Sequence, residues 1–228
     1  MKRKTICISL LGILIVLIGV ISISTVRSGK ILYKTKENSS TSDIYKDKNI
    51  IESFGLTDKL LEEDFPNLVK HSDAVIKGKV DSVDFISVKG SAWTKLRFHI
   101  DNVITGNVNL DTDLDIYYMG GYVSLEEHIK YNDDAFRFEK LSEKEIANTV
   151  LREIYDGEDK FIEKGEELIL CIVETTDYSA LPKGSYERLY SSGMLKLKDG
   201  KYIQLYGEAE EKYSISSERI NDIKNIVS

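Results

Sequence analysis

Three aspartates at alternate positions, Asp111, Asp113 and Asp115, have a type and spacing that suggest metal chemistry. Carboxylate oxygens are the ligands that Ca²⁺ prefers, but an EF-type loop needs glycine at its sixth position, where this chain has isoleucine. In a strand the three side chains point the same way, about 7 Å apart, too far to enclose one ion unaided. Asp133 and Asp134 could supply further oxygens. The sequence favours a solvated strand face, with weak calcium binding as the alternative.

Tyrosine is over-used, with 13 copies in 228 residues. The candidate ligand-binding residues are those around a Gly-Gly pair and those before the last predicted hairpin: Tyr117, Tyr118, Tyr122, Tyr178, Tyr186 and Tyr190. Exposed rings could stack on sugars or form a protein-binding patch. Buried rings would be ordinary core of a β domain, which is the favoured interpretation.

Catalytic and metal-binding motifs are missing from the sequence. It contains neither the G-x-S-x-G nor the S-x-x-K motif of nucleophilic hydrolases. The histidines, His71, His99 and His128, lie outside the paired spacings that bind zinc. His99 shares its predicted strand face with Lys95 and Arg97, which is most simply a polar face. We therefore predict a non-catalytic chain without a cofactor.

The charge balance excludes one class of partner. The first 30 residues hold five basic and no acidic residues, so the remainder has 26 basic against 38 acidic residues, a net charge of −12. Nucleic acid would repel so acidic a domain, and nucleic-acid binding is not predicted. The two cysteines are Cys7, inside the first apolar stretch, and Cys171, inside an apolar run, so the domain has no internal disulfide and Cys171 is predicted to be buried.

Residues 5–26 form an apolar stretch of 22 residues without charge. A helix of that length spans about 33 Å, enough to cross a hydrocarbon core of roughly 30 Å. Basic residues at positions 2–4 predict a cytoplasmic N-terminus, which places everything after about residue 30 outside the cell. The prediction is a single-pass protein of the cell membrane. The alternative is a cleaved signal peptide and a secreted protein.

The chain divides into a membrane anchor at 1–29, a polar tether at 30–55 and an extracellular domain at 56–228. Order is predicted to begin near Thr57, with a helix that Pro66 interrupts and Asp64 caps again. Alternating apolar residues then predict strands over 73–81 and 95–101, and a third strand that runs from 107 to the Gly120-Gly121 pair.

A helix is predicted after the third strand, because Ser142 and Glu145 have the spacing of a capping box. Its apolar stripe consists of Ile146, Val150, Leu151 and Ile154. A central strand at Leu168–Val173, a hairpin at 194–206 of open register and a C-terminal helix capped by Ser216 complete the domain. This order predicts a mainly β (α+β) fold, an OB-like antiparallel barrel of five to six strands, with a small sandwich as the alternative.

Four segments carry a resemblance: 67–80, Val103-Ile104-Thr105-Gly106, Gly120-Gly121 and Phe161–Leu170. With them the chain resembles uncharacterised exported proteins of Gram-positive bacteria, which have a signal or anchor followed by one small β-rich domain. The likeness covers roughly residues 65–207. The layout is also similar to netrin-like domains, which are OB-type. That family depends on disulfides and an N-terminal cysteine, which this chain lacks, so protease inhibition is not implied.

The sequence therefore predicts a membrane-anchored cell-surface binding module whose ligand is an envelope protein or a cell-wall glycan. One alternative is an envelope hydrolase with carboxylates in a tyrosine-lined cleft. Another is a secreted form released by cleavage of the signal.

Overall fold

The computed structural model describes residues 45–55, 64–110, 112–155, 162–176, 180–204 and 213–226. The predicted anchor at 5–26 and the predicted helix start at Thr57 lie outside these residues. Within the described ranges, no helix combines the length and the apolar character needed to span a membrane.

The described residues are mainly β, as predicted, with short helices between the strands. The strands are β1 Asn49–Gly55, β2 Ala74–Val88, β3 Ser91–Gly106, β4 Asp113–Met119, β5 Gly121–Ser124, β6 Thr149–Tyr155, β7 Glu167–Glu174, β8 Tyr186–Arg188, β9 Met194–Lys198, β10 Lys201–Gln204 and β11 Ser214–Ser216. The α-helices are α1 Phe65–His71, α2 Leu125–Tyr131 and α3 Glu143–Ala147. The 3₁₀ helices are Asp133–Phe138, Ser191–Gly193 and Ser217–Ile226.

Eight strands form one sheet in the order β11-β10-β9-β7-β2-β3-β4-β8, and β8 also pairs with β7. The pairings of β2, β3, β4, β8 and β7 thus close into a ring. The prediction of an antiparallel arrangement is wrong for the pairing of β8 with β4, which is parallel. Strand β8 follows β7 through a loop and joins β4 in parallel, so it contacts both edges that the ring must close.

Alternate residues of the ring strands point inward and form the largest core cluster. Its members include Ile76, Val80, Leu96, Phe98, Ile100, Ile116, Leu168, Leu170 and Ile172. Most are fully buried, and each stabilises the fold by about 1.5–3 kcal/mol. Because side chains alternate along a strand, the intervening residues of β3 and β4 must face outward.

Two tight turns set the register of the hairpins. Lys89 and Gly90 both have positive φ (51° and 80°), as do Asp199 and Gly200 (51° and 76°), which is the pattern of a two-residue type I′ turn. The second turn places Leu197 opposite Tyr202, which settles the register that the sequence leaves open.

A second core cluster lies outside the ring, where α1 and the C-terminal 3₁₀ helix pack against the strands. As predicted, Asp64 caps α1 by accepting a hydrogen bond from the backbone N–H of Asn67, 2.6 Å away. The C-terminal helix is a 3₁₀ helix that buries Ile220 and Ile223. Both helices pack against the outer side of the ring, where Cys171 is buried as expected.

The predicted third strand is wrong in its start. Residues 107–110 are not in a strand; β3 continues to Gly106, and β4 begins only at Asp113. The reason is that β3 pairs with β2 along its whole length, so that Gly106 lies opposite Ala74. A Cβ at Gly106 would lie 2.3 Å from the carbonyl oxygen of Asp73, so this end of the hairpin requires glycine.

The predicted long helix is confirmed only at its start. Ser142 and Glu145 form the predicted capping box, but α3 ends at Ala147. Val150, Leu151 and Ile154 belong instead to β6, which is the middle strand of a three-stranded sheet of order β1-β6-β5. Sheet pairing on both sides therefore outweighs the helical spacing of these apolar residues.

The predicted tether is wrong for its last seven residues. Residues 49–55 form β1, which pairs in parallel with β6, and Ile51 packs against the small core around Leu151. The polar composition conceals this strand, because only one of its faces is partly buried. The rest of the tether lies outside the described residues.

Candidate functional site

The outward side of β3 and β4 carries an array of charged residues. The pairing places Arg97 opposite Asp115 and His99 opposite Asp113, with Lys95 two residues before Arg97 on the same side. We call these five side chains the polar face.

The polar face is joined by a ladder of ion pairs. Asp115 lies 2.8 Å from Lys95 Nζ and accepts from Arg97 at 3.2 Å. Arg97 also donates to Oδ2 of Asp113 at 3.3 Å, and Oδ1 of Asp113 lies 2.8 Å from His99 Nδ1. Solvent screens exposed pairs of this kind, so they contribute little to folding and can exchange their partners readily.

These contacts shift the ionisation of the polar face. The hydrogen bond with Asp113 raises the pKa of His99 above its ordinary value, with smaller contributions from the charges of Asp113, Asp101 and Asp81. The same hydrogen bond, together with Arg97, lowers the pKa of Asp113. Both shifts favour a charged His99 beside a charged Asp113.

Asp81 joins this group through an irregularity in β2. The pairing passes from Val80 opposite Phe98 to Ser82 opposite Arg97, so Asp81 is an extra residue in a β-bulge. One donor atom from each of Asp81, His99 and Asp113 lies within 4.8 Å of the other two, close enough for the three to share a metal ion. Sequence alternation alone does not reveal this group, because the bulge changes the register.

The predicted calcium residues are not brought together as a set of three. Asp111 lies outside the described residues. Asp115 is held by Lys95 and Arg97, whereas Asp113 joins the group with Asp81 and His99. Asp113 is thus the predicted ligand that the structure places in a metal-binding arrangement.

The three tyrosines around the Gly-Gly pair are buried. Tyr117 is 2% exposed and packs against Ile86 and Leu181, and burial raises its pKa to about 12. Tyr118 faces the ring interior, with the guanidinium of Arg188 lying 4.1 Å from the centre of its ring.

The other tyrosines do not complete a patch. Tyr122 packs edge-on against Phe85 at 5.1 Å and against Tyr45 at 4.5 Å. Tyr186 and Tyr190 are half-buried on and after β8, and Tyr178 lies outside the described residues. The rings that the structure describes are mostly packing residues, as the sequence favoured.

A second histidine and carboxylate meet inside the domain. Glu153 is 6% exposed, and its Oε2 accepts from the backbone N–H of Ala92 at 3.0 Å and from the Tyr155 hydroxyl at 3.3 Å. Its Oε1 lies 3.6 Å from Nδ1 of His128, which also contacts the carbonyl oxygen of Gly90 at 3.1 Å. Burial raises the pKa of Tyr155 to about 12. This buried pair joins α2, β6 and the β2–β3 hairpin.

No protein-family model, curated protein or solved structure matches this chain.

Proposed function

We propose that this chain is a non-catalytic binding module, anchored in the cell membrane by residues 5–26, whose polar face binds a protein of the cell envelope. The supporting observation is the position of that face within the ring. β2, β3, β4, β7 and β8 follow the order of an OB-type barrel, with a helical insertion between the third and fourth strands. In such barrels the second and third strands carry the ligand face, and β3 and β4 hold those places by fold-level analogy.

The chemistry of the polar face supports a charged ligand. It offers guanidinium, ammonium and imidazole donors beside carboxylate acceptors, at the fixed spacing of two paired strands. Among the described residues, the exposed aromatic rings are Phe54, Tyr131 and Phe136, which lie on other elements. Trp93, two residues before Lys95 on the same side of β3, is only partly exposed, because it packs against the cluster that contains Tyr117. In the part of the chain that the structure describes, a glycan would therefore find no fully exposed ring on this face, and a protein with complementary charges fits it better.

The hydrolase alternative has weaker support. Glu153 combines a carboxylate with a nearby histidine and tyrosine, but it is buried and its oxygens are engaged by the fold. An open depression of about 310 Å³ is lined by Lys201, Tyr213, Arg219 and Asp222, among others. Among the described residues that line it, Asp222 supplies the single carboxylate, whereas glycoside hydrolysis uses a pair.

The proposed position of the domain outside the cell is inferred from the sequence alone, as is the likeness to exported Gram-positive proteins. Protease treatment of intact cells, with the mass of the membrane-bound fragment determined, tests it. The proposal expects the outer domain to be clipped from outside while residues 5–26 stay in the membrane. A shortened form in the medium supports secretion, and protection until lysis contradicts an external domain.

Crosslinking of the full-length protein in intact cells tests the binding role. We compare the wild type with an R97A/D115N variant, which breaks the ladder, and with R219A/D222N, which removes an exposed Arg–Asp pair of 2.7 Å elsewhere. The proposal expects a defined crosslinked partner that is lost only in R97A/D115N, with unchanged thermal unfolding in both variants. Equal crosslinking in all three proteins would place the binding surface elsewhere.

A further inference from the structure

We propose that Asp81, His99 and Asp113 bind one divalent transition-metal ion of the Zn²⁺ type at the edge of the polar face. The three residues come from three adjacent strands, β2, β3 and β4, and their donor atoms lie within 4.8 Å of one another. This inference goes beyond the proposed function, because the binding of an ion by these three residues does not depend on a protein partner.

The donor set selects the class of ion. Zn²⁺ binds imidazole nitrogen and carboxylate oxygen at about 2.0–2.2 Å, with a water completing an open site of three protein ligands. Ca²⁺ requires six to eight oxygens, and this group offers an imidazole in place of one of them. Imidazole suits zinc, nickel and copper, and two carboxylates add the negative charge that stabilises a divalent ion.

The distances fit an ion that replaces a hydrogen bond. Tetrahedral zinc ligands lie about 3.3 Å apart. His99 Nδ1 and Asp113 Oδ1 are already 2.8 Å apart, so an ion between them needs a small separation of these atoms. Asp81 must approach from within 4.8 Å, and its exposed side chain has room to do so.

The neighbouring cation is compatible with an ion at this place. Arg97 donates to Oδ2 of Asp113, whereas Oδ1 faces His99, so Asp113 can bind a metal through one oxygen and keep Arg97 on the other. Arg97 also donates to Oδ1 of Asp115 at 3.2 Å, so the guanidinium bridges the two aspartates of β4. Such outer contacts orient a ligating carboxylate. Asp101 adds a further negative charge near His99.

The chain offers matched controls for both ligand types. Asp222 is a carboxylate of the C-terminal 3₁₀ helix, outside the polar face, and it lies 2.7 Å from Nε of Arg219. His71 is an exposed histidine at the end of α1, and its Nδ1 lies 2.8 Å from the carbonyl oxygen of Asn67. A non-specific effect of removing a carboxylate or an imidazole would appear equally in these controls.

Isothermal titration of the full-length protein in detergent with Zn²⁺ tests the site. We expect one saturable site, with Kd raised roughly tenfold or more in D81N, H99Q and D113N and unchanged in D222N and H71Q. Circular dichroism of each variant verifies folding. In the Co²⁺-loaded wild type, visible absorption bands that H99Q lacks would show that the imidazole is a ligand.

Three results would overturn the proposal. One is the absence of a saturable Zn²⁺ site in the wild type. Another is wild-type affinity in H99Q, which would place the ion elsewhere. The third is a stronger affinity for Ca²⁺ than for Zn²⁺ at the same residues, which would assign an oxygen-only site in which His99 has no part.

Discussion

Two regions of this molecule pair a histidine with an aspartate or glutamate in opposite surroundings. On the polar face, the His99 and Asp113 side chains are 41% and 37% exposed and 2.8 Å apart. Inside the domain, the His128 and Glu153 side chains are 12% and 7% exposed and 3.6 Å apart. The buried carboxylate accepts from a backbone N–H, whereas the exposed one contacts side chains only.

The difference shows how burial assigns a role to the same residue types. A buried carboxylate that accepts from a backbone N–H cannot move away without leaving that N–H unpaired in the interior. Its hydrogen bond therefore stabilises the fold. An exposed pair in water contributes little to stability and can exchange its partner for a ligand or an ion. Residue type alone would rank the two pairs equally.

The largest expected effect comes from removing the buried carboxylate. Glu153→Ala leaves the N–H of Ala92 and the hydroxyl of Tyr155 without their acceptor, and should lower the free energy of unfolding by about 2–4 kcal/mol. Urea denaturation measures this loss. The matched variant Asp113→Asn should unfold at the wild-type urea concentration. Equal losses in the two variants would remove the distinction between the regions.

The backbone beneath the polar face provides the next prediction. A Cβ at Gly78 would lie 1.9 Å from the carbonyl oxygen of His99, so Gly78→Ala must push β2 and β3 apart. We expect a loss of about 1–3 kcal/mol and a weaker zinc site, measured by urea denaturation and zinc titration. Gly193→Ala is the control, since its Cβ would make an ordinary 3.4 Å contact with Cys171. Unchanged zinc affinity in Gly78→Ala would show that strand spacing does not position His99.

Two half-buried glutamates should respond to pH with opposite signs. Burial would raise the pKa of Glu167, but hydrogen bonds from Tyr202 and Lys77 lower it below its ordinary 4.5. Its ionised form therefore stabilises the fold above pH 4.5, and this contribution is lost as the pH falls through the folded pKa. Burial raises the pKa of Glu187, which Arg188 only partly offsets, so its ionised form destabilises the fold as the pH rises through the folded pKa.

Melting temperatures at pH 7 and pH 4 check these signs. At pH 7, Glu167→Gln should melt below the wild type and Glu187→Gln above it. Both differences should shrink at pH 4. A shift of the same sign in both variants at pH 7 would contradict the assignment.

The smallest effect concerns a buried tyrosine. Because Tyr117 has a pKa of about 12, Tyr117→Phe should leave the rise in phenolate absorbance near pH 10 unchanged and reduce the rise near pH 12. An alkaline titration in the ultraviolet measures this. A smaller rise near pH 10 would mean that Tyr117 is exposed, as a ligand-binding ring would be.

Local patterns predicted the parts of the fold that local chemistry determines. The alternation in β2 and β3, the caps at Asp64 and Ser142 and the apolar run around Cys171 each depend on neighbours in sequence. The same alternation correctly predicted that Lys95, Arg97 and His99 share one side of β3.

Long-range pairing decided the parts that were missed. Residues 149–155 have helical apolar spacing, yet they pair with β1 and β5, and neither partner has a strong strand pattern of its own. The bulge at Asp81 depends on how β2 matches β3, so the group of Asp81, His99 and Asp113 could not be derived from spacing. The predicted set of three aspartates assumed one regular strand from 107 to the Gly120-Gly121 pair, whereas the strand begins only at Asp113.

The most direct test of the central contrast is the shift in melting temperature that Zn²⁺ causes in two histidine variants. At a zinc concentration 100-fold above Kd, the wild type should gain roughly 5 °C or more. We expect His99→Gln to melt like the metal-free wild type and to gain nothing from Zn²⁺. His128→Gln, which loses a ring packed edge-on against Phe138, should melt lower but gain as much as the wild type. A full zinc-induced gain in His99→Gln, or its loss in a folded His128→Gln, would contradict the assignment of the ligand site to the polar face.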